Sequence, residues 1–193
     1  MARKSMLYIF AGILLVLYTV ISCMSNAMQI TGIHDFKFKT LIMFIKLVGI
    51  KSIIHYAILL LIGLACIAKS VVGELVSDIA FLGLFGLMTL FTGITFLSYF
   101  IDMIKFHQLN TWIAWVNVFF QLFPIIAFGA MTGIILLKDG FGGLYFALAA
   151  IMLVQFALVV LLSGFIELTI MSIIMELLFI GGLFTFGKAA TDN

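Results

Sequence analysis

The sequence predicts an all-α, polytopic integral membrane helix bundle of about six transmembrane helices, with a short interfacial amphipathic helix after the first. Three observations carry this. Hydrophobic residues make up 65% of the 193 positions and charged residues 9%, a balance that no soluble domain of this length needs in order to build a core. Apolar runs of the roughly 20 residues that a spanning helix requires recur from end to end. The charges collect in the short breaks between those runs, so no stretch is left for a separate aqueous domain and residues 1–193 read as a single membrane domain.

The first span, about 6–27, follows a basic start, Arg3 and Lys4, and ends near VISC at residues 20–23. That box resembles a lipoprotein-type cleavage site, with Cys23 as the residue that would carry lipid. The longer apolar run is read instead as a spanning helix or uncleaved signal anchor. Residues 36–51, FKFKTLIMFIKLVGIK, are apolar enough to be helical yet carry Lys37, Lys39, Lys46 and Lys51. Each lysine held at membrane depth would cost roughly 2.5 to 3.5 kcal/mol. The expected solution is a helix in the headgroup plane whose lysines contact anionic lipid; the alternative is an extension of the second span with snorkelling lysines.

The remaining spans are expected at about 53–69, 77–101, 112–137, 144–163 and 168–187. Asp139-Gly140 and Ser163-Gly164 supply turn chemistry for antiparallel neighbours. Six spans put Arg3, Lys4, Lys69, Lys138 and Lys188 on one side and Lys37, Lys39, Lys46, Lys51 and Lys105 on the other, so the positive-inside count is a tie. Both termini are taken as cytoplasmic, in a cell membrane or an organelle inner membrane.

Polar residues within the spans follow helical spacing. Tyr18, Ser22, Ser25 and Gln29, with Asn26 beside them, form a stripe in the first; Thr92, Thr95, Tyr99 and Asp102 form another in the third. The fourth holds Asn117 and Gln121 one turn apart, then Pro124, the only proline, where a kink is expected. The fifth carries Gln155, and in the sixth Thr169, Ser172 and Glu176 share a face. Lipid offers these groups no hydrogen-bond partner, so the stripes are expected to face other helices or a water-filled cavity. Gly83, Gly86 and Gly93, and Gly129 with Gly133, are the expected places of close helix approach.

Glu176 is the focus. Eleven Leu, Ile and Phe residues in 168–187, at about −0.4 kcal/mol each, outweigh about +3 kcal/mol for one charged residue. A carboxyl group at that depth must still be protonated or partnered. Gln155, Asn117, Gln121 and Ser172 are the expected partners. One reading makes this group a binding site for a proton, cation or amine-bearing solute; the other makes it a hydrogen bond that fixes helix register or a contact to another subunit.

The remaining chemistry is thin. A net charge of +2 without a basic, aromatic-interleaved tract argues against nucleic acid. Cys23 and Cys66 lack the paired spacing of a metal or dithiol motif. His34, His55 and His107 lie near membrane surfaces in different segments, so neither metal nor haem is expected and no cofactor is implied. Hydrolase, phosphate-loop and zinc motifs are not found. The leading expectation is a transport-type solute- or ion-binding membrane component with Glu176 in its interior. The alternative is a structural or assembly subunit of a larger membrane complex, and the third is a membrane-embedded lipid-modifying enzyme, with the balance against an enzyme. The expected partners are the bilayer, anionic headgroups at the lysine-rich segment, and other membrane subunits or further copies of the chain.

Overall fold

The computed structural model describes residues 2–31, 38–73, 76–137, 142–162 and 170–191. Among them are six helices and no strand: α1 (Ala2–Thr31), α2 (Phe38–Val72), α3 (Asp78–Lys105), α4 (Trp112–Leu136), α5 (Gly142–Leu162) and α6 (Ile170–Thr191). Among the described residues, α1, α2, α3, α4 and α6 each hold a stretch long and apolar enough to cross a membrane, and the stretch described in α5, Ala147–Leu158, is apolar as well. The chain is thus a multi-pass helical membrane protein, and each predicted span coincides with a helix.

The lysine-rich segment differs from expectation. It is not a separate short helix, because α2 runs unbroken from Phe38 to Val72 over 35 residues. At 1.5 Å per residue that is about 52 Å, against a hydrocarbon core of about 30 Å. A helix of that length exceeds what a crossing needs. Continuation costs less than a break here, since no glycine or proline interrupts residues 38–48 and each added residue contributes a hydrogen bond. Lys51 is exposed; Lys37 and the side chains of Lys39 and Lys46 lie outside the described residues, as do the Asp139-Gly140 and Ser163-Gly164 turns.

α1 packs most extensively, against α2 on one side and α6 on the other; α3 pairs with α4, and α5 touches both α4 and α6. Among the glycines whose surroundings are described, the closest approaches are at Gly12, Gly63 and Gly182, which the sequence did not single out. A Cβ on Gly12 would lie 2.6 Å from the Gly63 carbonyl oxygen, and one on Gly182 would lie 2.8 Å from Leu15. Gly83, Gly86 and Gly93 have open space where a Cβ would go. Small residues permit close packing but do not determine which helix accepts it.

An aromatic column fills one half of the bundle. Ring centroids run from Tyr8 to Phe81 at 6.2 Å, Phe81 to Phe186 at 5.1 Å, Phe186 to Phe85 at 4.8 Å, Phe85 to Phe128 at 6.2 Å, Phe128 to Phe179 at 5.6 Å and Phe179 to Tyr18 at 4.9 Å. It joins α1, α3, α4 and α6. The hydroxyls of Thr19, Thr89, Thr92 and Thr185 bond carbonyls of their own helices, Leu15, Phe85, Met88 and Gly181, so these polar groups sit in apolar surroundings without an interhelical partner.

Lys69 closes the end of the bundle where α2 meets α3. Gly73, at φ 63°, ends α2, and the Lys69 Nζ then donates to the Val76 carbonyl at 2.6 Å and lies 2.9 Å from Asp78 Oδ1. Beside it Ser5 donates to the Ser70 carbonyl at 2.7 Å, tying α1 to α2. Since Lys69 is only 14% exposed and Asp78 34%, Lys69→Met is expected to lower stability by about 1 kcal/mol in denaturing-detergent titrations, allowing for screening at the exposed partner. An unshifted midpoint would remove the latch from the account. At the opposite face α3 ends at Lys105 and the chain turns at His107, φ 52°, where the Gln108 amide donates to the Met103 carbonyl at 2.9 Å and so satisfies one of the helix's last acceptors.

Candidate functional site

The polar residues gather in the half of the bundle that the aromatic column leaves free. α6 is antiparallel to α1, since Tyr18 meets Phe179 while Tyr8 meets Phe186. Glu176, one turn before Phe179, therefore lies level with the carboxyl-terminal half of α1. From α5, Gln155 Nε2 donates to Glu176 Oε1. Gln155 is buried at 4% exposure. Its carbonyl oxygen Oε1 is also buried and has no hydrogen-bond partner among the described residues, an arrangement that costs about 1–3 kcal/mol unless something donates to it.

α1 supplies the next members. Tyr18 stands beside Ser22 and within electrostatic reach of Glu176 and Tyr56. Ser22 Oγ is 3.4 Å from the Tyr56 hydroxyl, to which Asn26 Nδ2 also donates. Side chains of α1, α2, α5 and α6 thus form one polar group, running from Glu176 toward the membrane face that bears the α3–α4 turn. His55 packs its ring against Tyr56 at 5.6 Å and Phe91 at 6.3 Å, at the border with α3.

Of the residues that the sequence singled out, Gln155 and Glu176 are brought into direct contact, and Ser172 is half-buried one turn before Glu176. Asn117 and Gln121 are not joined to them: both are exposed on α4, and no hydrogen bond links either to Gln155 or Glu176. α4 passes through Pro124 unbroken. Tyr56 was missed by sequence reading, although the stripe on α1 implies a partner on a neighbouring helix. A tyrosine within the apolar run of α2 was the signal available.

The site presents acceptors. Gln155 Oε1 and the second carboxyl oxygen of Glu176 can receive hydrogen bonds from an ammonium, an amide or a proton-carrying water, or can coordinate a small cation. Among the described residues no group of His, Cys, Asp and Glu is arranged to hold a metal ion, and Cys23 and Cys66 are free thiols. A separate cleft of about 230 Å³ between α4 and α5 is lined by Phe119, Phe123, Ile126, Ala150, Ile151 and Val154. With no polar group in its lining, it suits an acyl chain and not a polar solute. Comparison with family models, curated proteins and solved structures finds no match to this chain.

Proposed function

We propose that the protein is a transport-type membrane component that binds a small hydrogen-bond-donating solute or cation at Gln155 and Glu176. The supporting observation is the buried, unpartnered Gln155 Oε1 beside a carboxyl group in the membrane interior. A pair serving only to fix helix register would have its acceptors filled, because an orphaned acceptor in lipid weakens the seam it is meant to hold. A group that takes up and releases a ligand leaves acceptors open between turnovers. Ionisable residues at such depth commonly mark substrate or proton paths.

The test is flux in reconstituted vesicles, with methylammonium uptake and proton movement reported by a trapped pH dye as the two probes. Glu176→Gln keeps size and hydrogen-bonding capacity, so the variant is expected to fold and to lose at least about 90% of flux, a tenfold change equivalent to about 1.4 kcal/mol. Gln155→Leu should reduce flux while leaving Glu176 in place. Full flux in both variants, or none in the parent protein with either probe, counts against the reading.

One observation favours a second reading, a subunit of a larger membrane complex. Asn117 and Gln121 are exposed within a spanning helix, where acyl chains would leave their amides without partners and another membrane chain would supply them. Stoichiometric co-purification of other membrane chains in mild detergent would support it, and a monodisperse lone protein would oppose it.

A further inference from the structure

We propose that the inward faces of α3 and α4 line an aqueous entrance, open at the membrane face bearing the α3–α4 turn, through which the ligand of the Gln155–Glu176 site arrives. This rests on that site as read above and adds its route and side of access. Two turns of an α-helix return a side chain to nearly the same face. Along α3 the series Phe81, Met88, Thr95, Asp102 therefore points one way, yet Phe81 and Met88 are buried in the core while Thr95 and Asp102 are exposed. On α4, Gln121 lies on the face of Phe128, which is buried against Phe85 and Phe179; Gln121 itself is exposed, and so is Asn117 one turn earlier. In one half these faces are packed; in the other they expose Thr95, Asp102, Asn117 and Gln121, while Met103, Ala114 and Val118 keep α3 and α4 in contact.

The residues on the uncovered part are the polar ones. Thr95 bonds its own helix through the Phe91 carbonyl at 2.9 Å, whereas the side chains of Asp102, Asn117 and Gln121 have no hydrogen-bond partner among the described residues. Water satisfies all three, and acyl chains satisfy none. These residues stand in the half of the bundle that holds Tyr56, Asn26, Ser22 and Glu176. Toward the opposite face the column of Phe81, Phe85, Phe128, Phe179 and Phe186 leaves no polar route among the described residues, so the entrance is placed on one side.

Cysteine labelling tests this without reference to ligand. In a background carrying Cys23→Ser and Cys66→Ala, Thr95→Cys and Gln121→Cys are made singly, with Gln108→Cys as marker of the turn-bearing face. Leu97→Cys is the control, because Leu97 is exposed at the depth of Thr95 on the opposite side of α3. In sealed membranes a membrane-impermeant maleimide should modify Thr95→Cys and Gln121→Cys from the same side as Gln108→Cys. Their rates should exceed that of Leu97→Cys by about tenfold or more, since only a hydrated thiol ionises to the reactive thiolate. Rates no faster than that of Leu97→Cys, modification from the other side, or modification only after detergent extraction would each overturn the proposal, the last by showing that another helix covers the face. Labelling as expected with flux unaltered in Glu176→Gln would instead keep the entrance and remove the binding site.

Discussion

Phe186→Ala is expected to destabilise the protein by about 3 kcal/mol, within the range found for buried Phe→Ala changes. Phe186 is 1% exposed and its ring meets Tyr8 at 5.9 Å, Phe81 at 5.1 Å and Phe85 at 4.8 Å. Truncation therefore removes contacts to α1 and α3 at once. In a bilayer the unfolded reference is also apolar, so little transfer energy is lost and the cost comes from the void and the missing ring contacts. Phe186→Leu, which fills most of the volume, should cost less than half as much. Reversible unfolding in mixed micelles measures both; a Phe186→Ala shift within about 0.5 kcal/mol, the scatter of surface substitutions, would show that the column is not what holds the helices together.

Gly12→Ala should be comparably harmful despite adding one methyl group. The new Cβ would stand 2.6 Å from the Gly63 oxygen, 2.6 Å from Ile67 Cγ1 and 3.0 Å from the Ile67 amide nitrogen. Two of those three atoms belong to backbone and cannot rotate away, so α1 and α2 must separate along their contact, at about 3 kcal/mol, the upper part of the overpacking range. Gly182→Ala presses on the Leu15 side chain at 2.8 Å and should cost less, because a rotamer change relieves it. Gly86→Ala meets open space and is expected to be neutral or slightly stabilising through helix propensity. The ranking Gly12, then Gly182, then Gly86 is the result to look for in the same unfolding measurement; equal effects would contradict close packing at Gly12.

Hydropathy made the six helices legible, because a spanning segment must bury every backbone polar group within itself and fill its surface with apolar side chains. Residue type alone could not say which glycine faces meet. Gly12 and Gly63 look no different in sequence from Gly83 and Gly93, and the choice is made by shape across two helices. Gln155 and Glu176 were legible for an energetic reason: strongly polar groups deep in apolar runs need company, and two such groups on neighbouring helices are the economical pairing. Asn117 and Gln121 satisfied the same rule on paper but stand uncovered on α4. Thr92 and Thr95 illustrate the opposite error, since a stripe of threonines suggests an interhelical network while each hydroxyl bonds its own helix. The continuity of α2 was illegible because its lysines argue about depth in the membrane and say nothing of where a helix ends.

The latch at Lys69 has a mechanical consequence. It joins α2 to α3 at the end opposite the polar half, and so supplies a fulcrum at one extremity of a long arm. A tilt of α3 and α4 by about 10° about that point, carried over the roughly 30 Å of hydrocarbon, would displace their far ends by about 5 Å. Displacements about the latch would thus be smallest at Lys69 and largest in Glu176's half of the molecule.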